Sequence, residues 1–224
     1  TKNSPILGDS VIAITAGQKD IQWIGTEQGI SGMYNNKWLS PLDDDMYPDY
    51  YFELFPITTM ATDLQGDSLY VATIGAGVGR FYKNDVDGIT GASTYAEWGP
   101  IKMPSDNVYS ICITEEAQWF GTDKGIAKHV GYNTLENWTI YNKGNGLVDN
   151  FVQTMAFDSS GKLWVGTKGG LSVFDGSEWT NYTIQDGLTS NNILCIICDK
   201  HGTVYLGTDN GFIIWNNGHI ICYQ

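Results

Sequence analysis

A short motif recurs five times along the 224 residues and limits the folds that the chain can adopt. Each copy reads as a strand with a central aromatic residue, a turn that ends in glycine, and a second strand, as in WVGTKGGLSVFD from Trp164. The aromatic anchors are Trp23, Tyr70, Trp119, Trp164 and Tyr205, which lie 47, 49, 45 and 41 residues apart. A period of this length predicts one four-stranded propeller blade for each copy.

The segments around each motif supply the other strands of a blade. In the fourth copy, FVQTMAF from Phe151 precedes the motif and WTNY from Trp179 follows it. Apolar and polar residues alternate in these segments, and Gly, Asn and Asp separate them, a pattern that favours strands over helices. A lone four-stranded sheet leaves two apolar faces uncovered, so neighbouring sheets must pack on it. We therefore predict an all-β fold, a β-propeller of five four-stranded blades.

The blades are expected to form one domain over residues 1–224. Their approximate bounds are 5–42, 54–99, 104–141, 147–184 and 188–224. Because the last segment, HIICYQ, completes an outer strand, we expect the ring to close by packing between the first and fifth blades, without strand exchange. A fragment of a longer array is the alternative.

The repeated aromatic residue is interpreted as the filler between blades, since neighbouring sheets need a large ring at one fixed place. The four cysteines are predicted to be reduced and buried, because free cysteine is commonly a small core residue. Cys195 and Cys198 are three residues apart on a predicted strand, so their thiols face opposite sides and cannot bind one ion.

The charge of the chain excludes some classes of partner. Twelve basic residues against 25 acidic ones give a net charge of -13, which repels nucleic acid and anionic lipid. The sequence contains neither an apolar run of 18 residues nor a targeting peptide, so we expect no membrane insertion of this chain. It also lacks an initiator Met, as a mature, trimmed or excerpted chain would.

Polar residues immediately before the first strands are the main candidates for ligand binding. The connections between blades share one face of a propeller with the hairpin turns, and such loops commonly carry function. The candidates are Asp106, Asn107, Asp149, Asn150, Asn191 and Asn192. A ring of carboxylates and amides suits the hydroxyl groups of a sugar. Alternatively, these side chains cap the tight connections by bonding their own backbone.

The most irregular connection, SPLDDDMYPDYYFELFP at 40–56, is a second candidate on the same face. Its Tyr47, Tyr50 and Tyr51 lie among acidic residues. Aromatic faces stack on sugar rings or anchor a protein partner. The other interpretation is a plug in which the tyrosines fold back over the blade edges.

No cofactor or metal is expected. Asp85 and Asp87 resemble half of a calcium loop, but the distal bidentate Glu is missing at the required spacing. The three histidines, His129 in an exposed strand end and His201 and His219 in turns, have no accompanying Cys or repeated acid.

Catalytic signatures are also missing, since no GxSxG elbow, phosphate loop or dinucleotide fingerprint occurs. Asp9, Asp106 and Asp149 could form acids around the channel, as in a glycosidase. These acids fall at equivalent places of the repeat, which turn chemistry predicts and an asymmetric catalytic pair does not. The chain is therefore expected not to be an enzyme, with a glycan-active hydrolase or lyase as the less favoured alternative.

The stretch GLVDNFVQTMAFDSSGKLWVGTKGGLSVFD resembles the two-component regulator propeller repeat. The resemblance covers nearly the whole chain, although the second unit has YVATIGAG in place of the WxGTxxG form. It implies the extracytoplasmic sensor half of hybrid histidine kinases of Bacteroidetes, which is associated with glycan fragments. The expected function is thus non-catalytic sensing or binding of a small molecule or oligosaccharide, in the periplasm or at the cell surface. A scaffold for protein–protein interaction is the alternative.

Overall fold

The predicted all-β architecture is confirmed. The computed structural model describes residues 6, 8–16, 21–34, 37–38, 55–64, 68–82, 91–95, 103–131, 136–216 and 218–223. These residues form five four-stranded antiparallel sheets, and their single helical segment is the 3-10 turn Ile184–Asp186. The five sheets, numbered units 1 to 5 in chain order, are the five blades.

Each unit takes four consecutive strands. In chain order they are β1 Val11–Ala16, β2 Ile21–Thr26, β3 Gly29–Tyr34, β4 Lys37–Trp38, β5 Ile57–Thr62, β6 Ser68–Thr73, β7 Val78–Tyr82, β8 Gly91–Tyr95, β9 Val108–Ile113, β10 Ala117–Thr122, β11 Gly125–Val130, β12 Trp138–Tyr141, β13 Val152–Phe157, β14 Leu163–Thr167, β15 Leu171–Phe174, β16 Trp179–Tyr182, β17 Ile193–Cys198, β18 Val204–Thr208, β19 Gly211–Asn216 and β20 His219–Tyr223. Within every sheet the strands pair in sequence order, as in β13-β14-β15-β16.

A β-bulge lies near the start of the first strand in every unit. In β13 the pairing with β14 shifts between Val152 and Thr154, so that Gln153 has no partner across the ladder. The same shift occurs in β1, β5, β9 and β17. A bulge bends the strand and turns the extra side chain in a new direction, so this position is set apart from the regular ladder in all five units.

The threonine of each Gly-Thr pair fixes the following hairpin by hydrogen bonds. In unit 4, the Thr167 hydroxyl donates to the carbonyl of Gly170 at 2.7 Å and accepts from the amide of Gly169 at 3.1 Å. Gly170 has a φ of 144°, which favours glycine. Equivalent bonds from Thr26, Thr122 and Thr208 repeat the turn in units 1, 3 and 5.

An acidic turn between the first and second strands, at the end of the sheet opposite this hairpin, forms a hydrogen bond with the aromatic anchor. Asp158 accepts hydrogen bonds from the amide of Ser160 at 2.8 Å and from Nε1 of Trp164 at 2.8 Å. Burial raises the pKa of Asp158, but hydrogen bonds from Ser160, Trp164 and Lys162 lower it by more, so the pKa lies below its ordinary value. The carboxylate therefore fixes the polar edge of a ring whose body packs between units.

Consecutive units pack through their sheet faces. Trp164 of unit 4 is buried in a cluster with Ile193 and Leu206 of unit 5, and Trp119 of unit 3 packs with Val152 of unit 4 in the same manner. Two other clusters join units 1 and 2 and units 2 and 3. The interpretation of the repeated aromatic residue as a filler between blades is confirmed for Trp23, Tyr70, Trp119 and Trp164. Tyr205 of unit 5 is half-buried and stacks on Phe212 of its own unit instead.

Two predictions about individual side chains are wrong. Cys195 and Cys222 are exposed rather than buried, because they lie in the last unit, where packing is incomplete. Cys112 and Cys198 are partly buried, and all four thiols are free. His129 is buried rather than exposed, and it stacks on Trp138 with a centroid distance of 4.4 Å.

The first strands line the inside of the array, since each packs against the first strand of the next unit: β1 on β5, β5 on β9, β9 on β13 and β13 on β17. Among the described residues, no contact of comparable extent joins β17 to β1. Closure of the ring, like the blade bounds, stays a prediction.

Candidate functional site

One face of the array collects the connections into the first strands and the turns between the second and third strands. Asn107, just before β9, donates from Nδ2 to Oδ2 of Asp123 in the β10–β11 turn at 2.9 Å. Asn192 makes the equivalent bond to Asp209 at 3.0 Å. These bonds tie the two kinds of loop together at the mouth of the channel, and we call this surface the loop face.

Two of the predicted ligand-binding amides hold the connecting loops. Oδ1 of Asn150 accepts from the amide of Lys143 at 2.7 Å. Oδ1 of Asn191 accepts from the amide of Ile184 at 2.8 Å. Both bonds span seven residues and close the connection between consecutive units. This is the capping role that the sequence left open as an alternative.

The predicted acids also have structural partners. Oδ1 of Asp149 accepts a hydrogen bond from the amide of Phe151 at 2.9 Å and so closes a short turn. In units 3 and 5 the hydroxyl groups of Ser105 and Ser190 close the same turn. The carbonyl of Asp106 accepts from the amides of Gly75 and Gly77 in unit 2 at 3.0 and 2.9 Å. Asp106 is equivalent to Asn150 rather than to Asp149, so the acids are not in one register as the sequence analysis assumed.

Ligand binding by Asp106, Asn107, Asp149, Asn150, Asn191 and Asn192 thus stays a prediction, and five of the six side chains already serve the loops. Tyr47, Tyr50 and Tyr51 lie outside the described residues, as does the calcium-like stretch with Asp85 and Asp87.

Unit 4 departs from its neighbours at the loop face. Phe151 stands where units 3 and 5 have Asn107 and Asn192, and Lys168 stands where they have aspartate. The two side chains still meet, because Nζ of Lys168 lies 3.6 Å from the centroid of the Phe151 ring. A cation over an aromatic face replaces the amide–carboxylate bond.

Tyr109 completes an aromatic surface beside this pair. It is the bulged residue of β9, and its ring centroid is 4.8 Å from that of Phe151 with an interplanar angle of 40°. Burial, and to a lesser extent the negative charge of Asp123, raise the pKa of Tyr109, so the phenol is neutral at physiological pH. We call Tyr109, Phe151, Lys168 and Asp123 the aromatic patch.

The aromatic patch combines two kinds of chemistry. Tyr109 and Phe151 are both partly exposed, so their ring faces are open to contact. Lys168 supplies a cation. Oδ1 of Asp123 is buried and accepts no hydrogen bond from the described residues. Flat apolar faces next to donors and acceptors suit a ligand with an apolar face and hydroxyl groups at its rim.

The sequence analysis missed this patch because it looked for polar residues that recur in the repeat. Phe151 and Lys168 replace the Asn–Asp pair of units 3 and 5, while units 1 and 2 have Ser10 with Glu27 and Pro56 with Ile74 at these places. The sequence contains a signal that could have revealed the patch, because both partners change together in unit 4. Its turn reads KGG where units 3 and 5 have DKG and DNG, and Phe stands before its first strand where they have Asn.

Two further features bear on the class of protein. No group of three or more His, Cys, Asp or Glu side chains that could hold a metal ion occurs in the described part of the chain. The same residues include no helix with the length and apolarity that crossing a membrane requires.

Comparison with solved structures identifies the fold. The extracellular domain of a hybrid two component system from B. thetaiotaomicron aligns with a TM-score of 0.79 and 19% identity, over 100% of this chain and 30% of that one. The extracellular domain of a one component system from the same organism gives 0.71 and 18%, over 96% and 31%. This chain therefore spans less than a third of the length of either.

An enzyme shares the fold as well. Streptogramin B lyase aligns with a TM-score of 0.69 and 16% identity, over 99% of this chain and 71% of that chain. At these identities the likeness shows the fold alone, and the fold serves both sensors and enzymes. Comparison with curated protein sequences gives no significant match.

Sequence comparison with protein families matches the two component regulator propeller at residues 146–169 and 187–210. Each match runs from the connection before the first strand to the turn after the second strand, in units 4 and 5. The chain therefore carries repeats of the two-component regulator propeller family, which confirms the resemblance drawn from its sequence.

Proposed function

We propose that the chain is a non-catalytic, ligand-binding propeller of the sensor type, and that its ligand is a carbohydrate bound at the loop face. The observation that carries the proposal is the aromatic patch. Sugar rings present apolar C–H faces that stack on aromatic side chains, and their hydroxyl groups need donors and acceptors at the rim. Tyr109 and Phe151 supply the faces, and the ammonium group of Lys168 supplies a donor beside them.

The setting of the patch also supports binding. It lies on a rigid frame, since the Asn–Asp bonds of units 3 and 5 fix the loops on both sides of unit 4. Gln153 adds a link across the next boundary, because its Nε2 donates to Oδ1 of Asn192 at 2.8 Å. A site built on fixed loops loses little conformational entropy when a ligand binds.

The hydrogen bonds of the acidic side chains at the loop face support a non-catalytic role. Asp149 caps its own turn, and Asp123 and Asp209 each accept a bond from an asparagine. These three acids are thus engaged in the loops rather than paired across an open site. The similar extracellular domains of two component systems support placement outside the cytoplasm, and this location is part of the proposal.

The test is a titration of the chain with a panel of neutral and acidic oligosaccharides, followed by calorimetry. The informative variant is Phe151→Asn combined with Lys168→Asp, because it gives unit 4 the pair that units 3 and 5 already contain and so preserves the loop. We expect the double variant to bind at least about tenfold more weakly, a loss of about 1.4 kcal/mol.

His219→Ala, an exposed position at the end of the outermost strand opposite the loop face, is the control and should bind as the wild type does. Failure of every sugar to bind the folded wild type would refute the carbohydrate proposal. Formation of shortened or unsaturated products in the same mixtures would show that the chain is an enzyme instead.

A further inference from the structure

The residue that follows the turn threonine occupies one fixed place on the loop face, and we call this place the turn position. In units 1, 2 and 4 its backbone amide donates to the carbonyl of the residue just before the first strand. The three bonds are Glu27 to Ser10 at 3.3 Å, Ile74 to Pro56 at 3.0 Å and Lys168 to Phe151 at 3.2 Å. The side chain at the turn position therefore starts beside the entry to the first strand.

In units 1, 3 and 5 the turn position holds an acid whose carboxylate is engaged by nitrogen donors. Glu27 accepts from the amides of Asp9 and Ser10 at 3.1 and 2.8 Å. Asp123 and Asp209 each accept from an asparagine side chain, at 2.9 and 3.0 Å. Hydrogen bonds of this kind stabilise the negative charge within the protein. These carboxylates therefore serve the loops themselves.

Unit 4 has the opposite charge at the turn position. Nζ of Lys168 lies 3.6 Å from the centroid of the Phe151 ring, which is the contact that its ammonium group makes among the described residues. A ring face attracts a cation, but it leaves hydrogen-bond donors of an ammonium group unfilled. Because the Lys168 side chain is exposed, these donors face the solvent. The positive charge of Lys168 is therefore available to a ligand.

The place of this cation beside the aromatic rings limits the kind of ligand. Tyr109 packs on Phe151 with a centroid distance of 4.8 Å, and the ammonium group lies over Phe151 itself. A sugar ring stacked on this surface brings the substituents at its edge within reach of the flexible lysine stem. An anionic substituent forms a charge-assisted hydrogen bond with the ammonium group, which is stronger than the bond to a neutral hydroxyl.

We propose that the ligand of the loop face is an acidic carbohydrate, and that Lys168 determines this preference. The anionic group, a carboxylate or a sulfate ester, would pair with Lys168 while its ring stacks on the aromatic patch. This inference rests on the proposed function and extends it, because it names the class of sugar and the residue that distinguishes it from a neutral one.

The net charge of -13 is compatible with such a ligand. Repulsion by distant acids is screened beyond about 8 Å at physiological salt, whereas a group in contact with Lys168 lies well inside this distance. Asp123 of the patch and Asp149 beside it accept hydrogen bonds from nitrogen atoms of Asn107 and Phe151. A single anionic group also differs from nucleic acid, whose many charges extend over the acidic surface.

The experiment compares oligosaccharides in matched pairs that differ in charge, by calorimetry of the full chain at physiological salt. Trisaccharides of galacturonic, glucuronic and mannuronic acid are each titrated beside their methyl esters, and a sulfated galactose trisaccharide is titrated beside its unsulfated form. We expect the acidic member of a binding pair to bind about fivefold more tightly, as an exposed ion pair of good geometry provides. The pairs also show whether the group is a carboxylate or a sulfate.

Two variants test the role of the lysine. Lys168→Met keeps an unbranched stem beside Phe151 but removes the charge, so the preference for the acidic member should disappear while the neutral member binds as before. Lys200→Met removes the same charge from an exposed turn between β17 and β18, at the opposite end of the sheets. The two variants have the same net charge, and Lys200→Met should keep the preference of the wild type.

The outcomes separate this inference from the proposed function. Neutral sugars that bind as tightly as their acidic partners would overturn the inference and leave the proposed function intact. A preference that persists in Lys168→Met, or that is lost equally in Lys200→Met, would overturn it as well, since the charge would then act elsewhere or through the whole chain. Failure of every sugar to bind would refute the proposed function and the inference with it.

Discussion

The glycine in the second strand sets how closely two units approach, and replacing it should weaken the array in a way that depends on its neighbour. In unit 4, a Cβ at Gly166 would lie 2.7 Å from Cγ2 and 3.0 Å from Cβ of Ile193 in unit 5. Ordinary contacts between carbon atoms need about 3.5–4.0 Å. Since Cβ of Ile193 is fixed to the backbone of β17, side-chain rotation alone cannot relieve the clash.

The size of the effect follows from two opposing terms. Overpacking a core by a methyl group typically costs about 1–3 kcal/mol, while removing a glycine from a strand gains about 0.5–1 kcal/mol. The net expectation for Gly166→Ala is a loss of about 1–2 kcal/mol in the free energy of unfolding. For a chain of this length, that loss lowers the thermal midpoint by about 2–8 °C.

Gly207→Ala is the matched control. Gly207 occupies the same place in unit 5, where, among the described residues, a Cβ would meet only Sγ of the exposed Cys195 at 2.5 Å. The position equivalent to Cys195 in unit 4 is Thr154, whose Cγ2 would lie 2.6 Å from a Cβ at Gly166. The contact within the unit is thus common to both variants, and the contact with the next unit is not.

Urea unfolding followed by tryptophan fluorescence should show a clear loss for Gly166→Ala and no loss for Gly207→Ala. Equal effects of the two substitutions would refute the reasoning, because the penalty would then arise inside one unit.

Two further predictions concern ionisable groups. The depressed pKa of Asp158 means that its charged form stabilises the folded chain, so this contribution is present above the unfolded-state pKa of about 3.9 and is lost as the pH falls through the lower folded value. The difference in unfolding free energy between wild type and Asp158→Asn, measured by urea titration, should therefore shrink as the pH falls below about 4; a constant difference would contradict the assignment. For the thiols, burial raises the pKa of Cys112 to about 12, so a thiol reagent at neutral pH should leave it unmodified in the folded chain. Cys195 and Cys222 are exposed, so the same reagent should modify both in the folded chain; modification of Cys112 at a similar rate would contradict the prediction.

The strands could be predicted from the sequence because their signals are local and repeated five times. The aromatic anchors, the glycine turns and the first strands all lie where periodicity placed them, as Phe151 to Phe157 against β13 shows. Periodicity does not determine, to within one residue, which positions of different units are equivalent. Asp149 and Asp106 look equivalent in the sequence, yet the structure aligns Asp106 with Asn150.

Burial at the ends of the array could not be predicted for a different reason. Cys195 sits at the place of Thr154, and Ile197 at the place of Ala156, which packs against the next unit. The amino-acid pattern of a face is the same whether or not a neighbour covers it. Whether a residue such as Ile197 is buried depends on the existence of a neighbour, and that information is not in the repeat.

The same property of repeats indicates where to look for function. Residues that recur in every unit, such as the aromatic anchor and the turn threonine, are explained by packing between units, so they cannot distinguish one propeller from another. Phe151 and Lys168 replace the Asn–Asp pair of the neighbouring units and still contact each other. An exchange of both partners preserves the loop but changes its chemistry from polar to aromatic and cationic, which packing does not require. We therefore propose that the aromatic patch gives this part of the loop face its binding chemistry, and that the Asn–Asp pairs of units 3 and 5 hold the loops beside it.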